Sequence, residues 1–126
     1  MRKTRSRPGI WIGHVTRRVR DIAKSADFFE ALGLRKVWKD ERMAIFELRG
    51  GTHLLLFQDK APYKNIPNDN FDLMVENVEA TRELLQSKGI KLSKLKSANF
   101  HTYVEASDPD GHKWRINSDH TEGRTV

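Results

Sequence analysis

The chain has 126 residues, a length that suits a single domain. It has no cysteine, which excludes disulfides, thiolate metal sites and a cysteine nucleophile. Its formal net charge is +6, and four basic residues lie within the first seven positions: Arg2, Lys3, Arg5 and Arg7. The longest apolar runs have only four residues, as at 54–57, and are too short to cross a bilayer. No apolar segment typical of a secretory signal follows the basic residues. We therefore expect a cytoplasmic protein.

Residues 1–10 are predicted to form a basic, frayed N-terminal arm. Such an arm can also contact phosphates or acidic lipids, and that alternative stays open. No helix-turn-helix, zinc-finger spacing or platform of stacking aromatic residues accompanies it. Neither nucleic acid nor a membrane is therefore expected as a partner.

The first half of the chain reads as a strand, a helix and three further strands. Asp21 can cap the helix with its side-chain oxygen, and apolar residues repeat at helical spacing over 22–32. Gly33 stands where this helix ends, in a position that favours left-handed backbone. Alternating apolar residues and turn signals then predict strands at 34–39, 43–48 and 53–58.

The second half repeats this order at an offset of 56 residues. Asn77 takes the place of Asp21, and Gly89 takes the place of Gly33. The sequence Asp108-Pro109-Asp110-Gly111 predicts a turn, because Pro presets φ and Gly supplies a positive φ. After a linker at 60–69, strands are predicted at 71–76, 90–96, 101–106 and 112–117.

We predict an α+β fold in which residues 11–118 form one domain, with a flexible tail at 119–126. The domain consists of two βαβββ modules, at 11–59 and 70–118. Alternation with a period of two places one face of each sheet against the helices and leaves the other face free. Two curled mixed sheets can enclose a cavity between these other faces, with the helices outside. A ferredoxin-like split βαβ arrangement is the alternative, although it needs fewer strands per half.

Three short motifs occur in order along the modules: Gly13-His14-Val15 with Val19-x-Asp21-Ile22, Val75-x-Asn77-Val78, and Asp108-Pro109-Asp110-Gly111. Together they resemble the vicinal oxygen chelate superfamily, which contains glyoxalase I, extradiol dioxygenases, fosfomycin-resistance enzymes and bleomycin-binding proteins. The resemblance covers residues 11–118. It implies the paired-module fold and, for chains with a single pair of modules, a homodimer. It says much less about activity, because one fold hosts many functions.

In the metalloenzymes of this superfamily a divalent ion is held by the first and last strands of each module. The matching positions of this chain are His14, Leu55, Asn70 and Arg115. A transition metal needs several nitrogen or oxygen donors, and a guanidinium keeps its positive charge, so no metal cofactor is expected. A divalent metal is the alternative. A slip on the fourth strand, to His53 or Leu54, would still leave Arg115 in place.

The candidate ligand-binding residues are His14, Thr16, Leu55, Asn70, Asp72, Tyr103, Glu105 and Arg115. Arg115 suits a carboxylate or phosphate if it faces the cavity. Alternatively, it pairs with Glu105, if a bulge at the 108–111 turn sets the two residues opposite each other. His14 can equally fill the cavity wall without binding anything.

Other large and titratable side chains allow more than one interpretation. Trp38 and Phe57 are either cavity wall or core, whereas Trp114 and Ile116 are expected in the core. The remaining histidines lack helical pairing and are expected to titrate as ordinary surface groups: His53, His101, His112 and His120.

Two functions fit these residues. We predict a protein that binds a small neutral or anionic molecule without the metal of the superfamily. The alternative is a metal-dependent lyase, isomerase or dioxygenase of the glyoxalase I or extradiol type, which requires stoichiometric metal and His14. A metal-free enzyme that uses Glu105, Asp72 or His14 as an acid or base also remains open. Relatives that hold the cationic drug bleomycin tend to be acidic, so that drug does not suit this basic chain.

Overall fold

The computed structural model, described here for residues 6–59, 72–98, 101–119, 121 and 123–126, contains the two modules in succession. The first comprises β1 (His14–Val19), α1 (Ile22–Leu32), β2 (Arg35–Lys39), β3 (Met43–Glu47) and β4 (His53–Gln58), with a 3-10 turn at Arg49–Gly51. The second comprises β5 (Leu73–Val75), α2 (Val78–Ser87), β6 (Lys96–Ala98), β7 (His101–Ser107) and β8 (Lys113–Ser118). The linker at 60–69 and Asn70 lie outside the described residues.

Each module forms its own four-stranded sheet, with the strand orders β1-β4-β3-β2 and β5-β8-β7-β6. In both sheets the first strand runs parallel to the last, and the other neighbours are antiparallel. A ferredoxin-like fold would instead interleave the strands of both halves in one sheet. The two-module α+β prediction is therefore confirmed over that alternative.

Both helices begin and end where the repeated motif predicts. Asp21 and Asn77 each accept the backbone N–H three residues further on, at 3.1 and 2.9 Å. Gly33 and Gly89 follow the helices with φ angles of 107° and 82°, a conformation that other residues rarely adopt. No helix of the described residues is long and apolar enough to cross a membrane.

The strand predicted at 90–96 is wrong in its position. The structure has only an isolated bridge between Leu92 and Ala106 there, and β6 begins later, at Lys96. The cause is Ser93, whose hydroxyl accepts the N–H of Glu105 at 2.9 Å. Because a side chain takes the place of a backbone acceptor, the regular ladder is interrupted at this point.

One hydrophobic core joins the two modules. The rings of Phe29 on α1 and Trp114 on β8 meet edge to face, with centroids 5.1 Å apart, and Phe46 of β3 lies 6.2 Å from Phe29. Trp114 and Ile116 are 1% and 2% exposed, which confirms both as core residues. Because Phe29 and Trp114 belong to different modules, their contact holds the two sheets to each other.

A buried charged pair, Arg17 and Asp108, accompanies this aromatic contact. Asp108 Oδ2 accepts the indole N–H of Trp114 at 3.0 Å and lies 3.7 Å from Arg17 Nε. Its Oδ1 accepts the backbone N–H groups of Asp110 and His112, each at 2.9 Å. Both charged side chains are at most 3% exposed. One carboxylate therefore shapes the turn between β7 and β8 and attaches that turn to β1 of the other module.

Replacement of Asp108 with Asn should lower the free energy of unfolding by about 3 kcal/mol, because it removes the negative charge beside a buried guanidinium. Equilibrium unfolding in urea, followed by circular dichroism, measures this loss. Addition of Arg17→Met to the same chain should recover part of it, since a core without either charge avoids the desolvation penalty.

Asp110→Asn is the matched control for this prediction. The Asp110 carboxylate accepts an exposed backbone N–H from Arg20 at 3.2 Å, so its replacement should cost about 1 kcal/mol or less. Equal losses in the two single variants would contradict the special role of the buried carboxylate.

Candidate ligand-binding site

The strands of each sheet present one face to the core and one outward, which we call open face A on the first sheet and open face B on the second. On β1, for example, Arg17 and Val19 are buried, whereas His14 and Thr16 are exposed on the opposite side. Open face A carries His14, Thr16, Trp38, Glu47, His53, Leu55 and Phe57. Open face B carries Asp72, Met74, Lys96, Tyr103, Glu105, Arg115 and Asn117.

The predicted site residues fall into two groups on these faces, apart from Asn70, which is not described. His14, Thr16 and Leu55 lie on face A, and the others lie on face B: Asp72, Tyr103, Glu105 and Arg115. The two described sheets do not close into a barrel. The modules meet through their core faces, and this contact leaves both open faces outside.

Trp38 and Phe57 are 54% and 38% exposed on face A, so the interpretation of these residues as core is wrong. On face B, Met74 is 47% exposed. Each open face therefore combines apolar side chains with the polar candidates. Such a combination is typical of surfaces that bind a ligand or a partner.

Arg115 and Glu105 are register partners on β8 and β7, as one of the two interpretations of Arg115 requires. The Glu105 carboxylate, however, binds Lys96 Nζ at 2.9 Å. The Arg115 guanidinium instead lies over the ring of Tyr103, 3.9 Å from the ring centroid. Within the described residues no ion pair engages Arg115, so its charge is available on an exposed face.

The hydrogen bond from Lys96 holds the pKa of Glu105 below its ordinary value of 4.5, against the opposing effect of burial. The same contact raises the pKa of Lys96 above its ordinary value. Glu105 is therefore ionised near neutral pH and already bound by a cation. This state does not suit a general base, which needs a pKa close to the working pH.

Asn117 is a member of face B that the sequence reasoning missed. It lies two residues after Arg115 on β8, and its Nδ2 donates to Asp72 Oδ2 at 2.6 Å. The residue is 4% exposed, and its Oδ1 has no hydrogen-bond partner in the described structure. The alternation along β8 could have identified it, because every second residue of a strand shares a face.

A polar row crosses the end of face A. His14 is the register partner of His53, and His53 is that of Glu47. The His14 and His53 rings lie 6.1 Å apart, and His53 Nε2 is 3.1 Å from Glu47 Oε2. Glu47 also contacts Arg35 at 3.2 Å. The parallel pairing of β1 with β4 brings His53 beside His14, a proximity that the sequence did not predict.

The residues at the ligand positions do not fit the metal of the superfamily. Leu55 lies between Thr16 and Ile45, and Arg115 takes the equivalent place in the second sheet. Neither side chain can donate a lone pair to a cation. Throughout the described parts of the chain, no group of three or more His, Asp or Glu side chains is arranged to hold a metal ion.

The replacement of Lys96 by Met should raise the pKa of Glu105 towards 4.5, since the dominant stabilising hydrogen bond is lost. Carboxyl-detected NMR titration measures this pKa. Because the pKa of Glu105 is lower in the folded chain than in the unfolded chain, this contact stabilises the fold at pH values above the unfolded pKa. Its contribution should disappear as the pH falls through the lowered pKa of the folded chain. Lys113→Met, which removes a more distant charge, should shift the pKa less. An unchanged pKa in Lys96→Met would refute this assignment.

Comparison with known proteins gives a family match over most of the chain. Residues 11–116 match the model of the Glyoxalase/Bleomycin resistance protein/Dioxygenase superfamily. A search of curated proteins found no match.

Several solved structures share the fold. Lactoylglutathione lyase from Agrobacterium tumefaciens has a TM-score of 0.71 at 17% identity, covering 94% of this chain and 100% of that one. TnmS3, an antibiotic binding protein from Streptomyces sp. CB03234, has a TM-score of 0.70 at 22% identity, covering 90% and 100%. A bleomycin resistance determinant encoded on the transposon Tn5 has a TM-score of 0.68 at 20% identity, covering 88% and 99%.

These identities establish a shared fold and leave the activity undetermined. The family match, by contrast, spans both modules, from the residues before β1 into β8. The chain therefore belongs to the Glyoxalase/Bleomycin resistance protein/Dioxygenase superfamily.

Proposed function

We propose that the protein binds a small anionic molecule at its open faces and does so without the metal of the superfamily. The observation that carries this proposal is the guanidinium of Arg115, exposed on face B with no ion pair among the described residues. A guanidinium presents parallel N–H donors that match a carboxylate or a phosphate.

The neighbours of Arg115 favour this role. The ring of Tyr103 makes a cation–π contact with the guanidinium, and Lys96 forms an ion pair with the carboxylate of Glu105. An incoming anion therefore does not need to displace an internal salt bridge. The buried amide of Asn117 holds Asp72 by a hydrogen bond, which keeps that carboxylate engaged as well. Two similar structures are named as an antibiotic binding protein and a bleomycin resistance determinant, which supports a binding function.

We infer further that two chains associate to complete the site. A ligand pocket normally buries most of the ligand surface, which a single open sheet face does not achieve. Trp38, Phe57 and Met74 expose large apolar side chains on these faces. A second copy of the chain would cover them and supply the opposite wall. The protein is then a cytoplasmic homodimer that holds its ligand between two sheets.

Thermal-shift measurements with succinate, benzoate and inorganic phosphate test the anion site. An anion at a hundred times its dissociation constant should contribute about 2.7 kcal/mol to stability and raise the melting temperature. Arg115→Ala should abolish this increase, whereas Lys24→Ala, at an exposed position of α1, should retain it. The persistence of the full shift in Arg115→Ala would contradict the proposal.

Metal content separates this proposal from a metal-dependent lyase, isomerase or dioxygenase. One observation bears on that alternative: His14, His53 and Glu47 are neighbours on face A, although these three described side chains are not arranged to hold a metal ion. Protein purified without chelator should contain far less than one equivalent of Mn, Fe, Ni or Zn. A full equivalent that is lost in His14→Ala would support the metalloenzyme and overturn the metal-free proposal.

Analytical ultracentrifugation tests the dimer. The protein should sediment as a dimer at micromolar concentration, and Trp38→Glu should weaken association at least about tenfold, since a charge would be buried in an apolar contact. Leu84 offers a matched control, because it is 55% exposed on α2 and away from both open faces. Leu84→Glu should leave the dimer unchanged. A monomer at every concentration would exclude this arrangement.

A further inference from the structure

The internal repeat creates two equivalent junctions between the modules, and only one of them is filled. At the first junction Phe29 packs on Trp114, and Arg17 lies against Asp108. At the second junction the repeat places Leu85 where Phe29 stands and Leu73 where Arg17 stands. Both leucines are smaller than their counterparts, so the second junction has less side-chain volume.

A cleft of about 910 Å³ lies at this second junction. Its walls come from the end of α1, the turn between β3 and β4, the edge strand β5 and the helix α2. The apolar surface is formed by Leu34, Leu48, Leu73, Val75 and Leu85, while Trp11 lines the cleft and is 64% exposed. The volume lies within the range typical of small-molecule sites, and the apolar lining is typical as well.

The charges in the cleft are unbalanced. The described residues that line it include four carboxylates, of Glu47, Asp72, Glu76 and Asp119, and two guanidinium groups, of Arg49 and Arg124. Glu47 and Asp72 are hydrogen-bonded as described above, and Glu76 binds Arg49 at 2.9 Å.

Asp119 is the exception among these carboxylates. Its backbone N–H donates to the carbonyl of Val75 at 3.1 Å, which holds the residue beside β5. Its carboxylate has no hydrogen bond or ion pair with any described residue. A half-buried anion beside an apolar cleft attracts a cation, because partial exclusion of water strengthens the interaction of the two charges.

We propose that this cleft is a second binding site, for an organic amine with an apolar body. The ammonium group binds the carboxylate of Asp119, and the apolar body packs on Leu34, Leu48 and Val75. The aromatic ring of Trp11 adds a surface that favours cations. Arg115 does not line this cleft, although Asp72 and Met74 of face B do, and the amine site does not depend on the anion-binding function proposed above.

Three probes of equal size and different charge test the assignment: 2-(1-naphthyl)ethylamine, 2-(1-naphthyl)ethanol and 1-naphthaleneacetate. Isothermal titration calorimetry at pH 7.5 should show that the amine binds about tenfold more tightly than the alcohol, because a hydrogen bond between charged groups contributes about this much affinity. The acid should bind most weakly. Equal affinities for the amine and the alcohol would overturn the amine assignment, and an absence of binding would overturn the site.

Two variants and a control locate the bound amine. Asp119→Asn should remove the preference for the amine over the alcohol, whereas Asp27→Asn, at an exposed position of α1, should preserve it. Thr81→Phe should weaken binding of all three probes, because it fills the cleft from α2. Amide NMR shifts induced by the amine should cluster at Leu34, Leu48 and Val75. Shifts confined to Leu55, Tyr103 and Arg115 would instead place the amine on the open faces and refute the second site.

Discussion

The carboxylate of Asp108 connects the two halves of this protein at a buried position. It accepts hydrogen bonds from the turn that contains it and from the indole of Trp114, and it lies 3.7 Å from Nε of the buried guanidinium of Arg17 on the opposite module. A buried charge of this kind is costly unless each of its oxygens is engaged, and here each is. The Phe29–Trp114 contact then completes a core to which both modules contribute.

The orientation of the binding surfaces follows from this junction. Because the modules meet through their core faces, both open faces remain exposed in one chain, and a ligand there requires a second wall. The same junction also explains the cleft. The cleft lies at the second junction between the modules, where Leu85 and Leu73 stand in place of Phe29 and Arg17. This second junction therefore lacks the aromatic ring and the ion pair that fill the first one. The two halves of the internal repeat thus form one filled contact and one open cleft.

The chemistry of the open faces depends on a small number of positions. Leu55 and Arg115 occupy equivalent places on the last strands, and neither can coordinate a metal ion. The last strand of the second module therefore carries the fixed positive charge of Arg115 at this position, beside the paired charges of Lys96 and Glu105. Lys96 is equally important, because it engages Glu105 and leaves Arg115 available above the ring of Tyr103.

The sequence by itself determined the elements and their order, because the caps Asp21 and Asn77, the glycines Gly33 and Gly89, and the alternation along the strands act locally. It also offered the placement of Glu105 opposite Arg115 as one of two alternatives, and the strand register has this placement. Only the tertiary structure decided that His53 lies beside His14, that Lys96 binds Glu105 and that Arg17 is buried against Asp108. These contacts join residues that are distant in the chain or on different strands. No local sequence pattern specifies how two modules pack, or whether Lys96 or Arg115 forms the ion pair with Glu105.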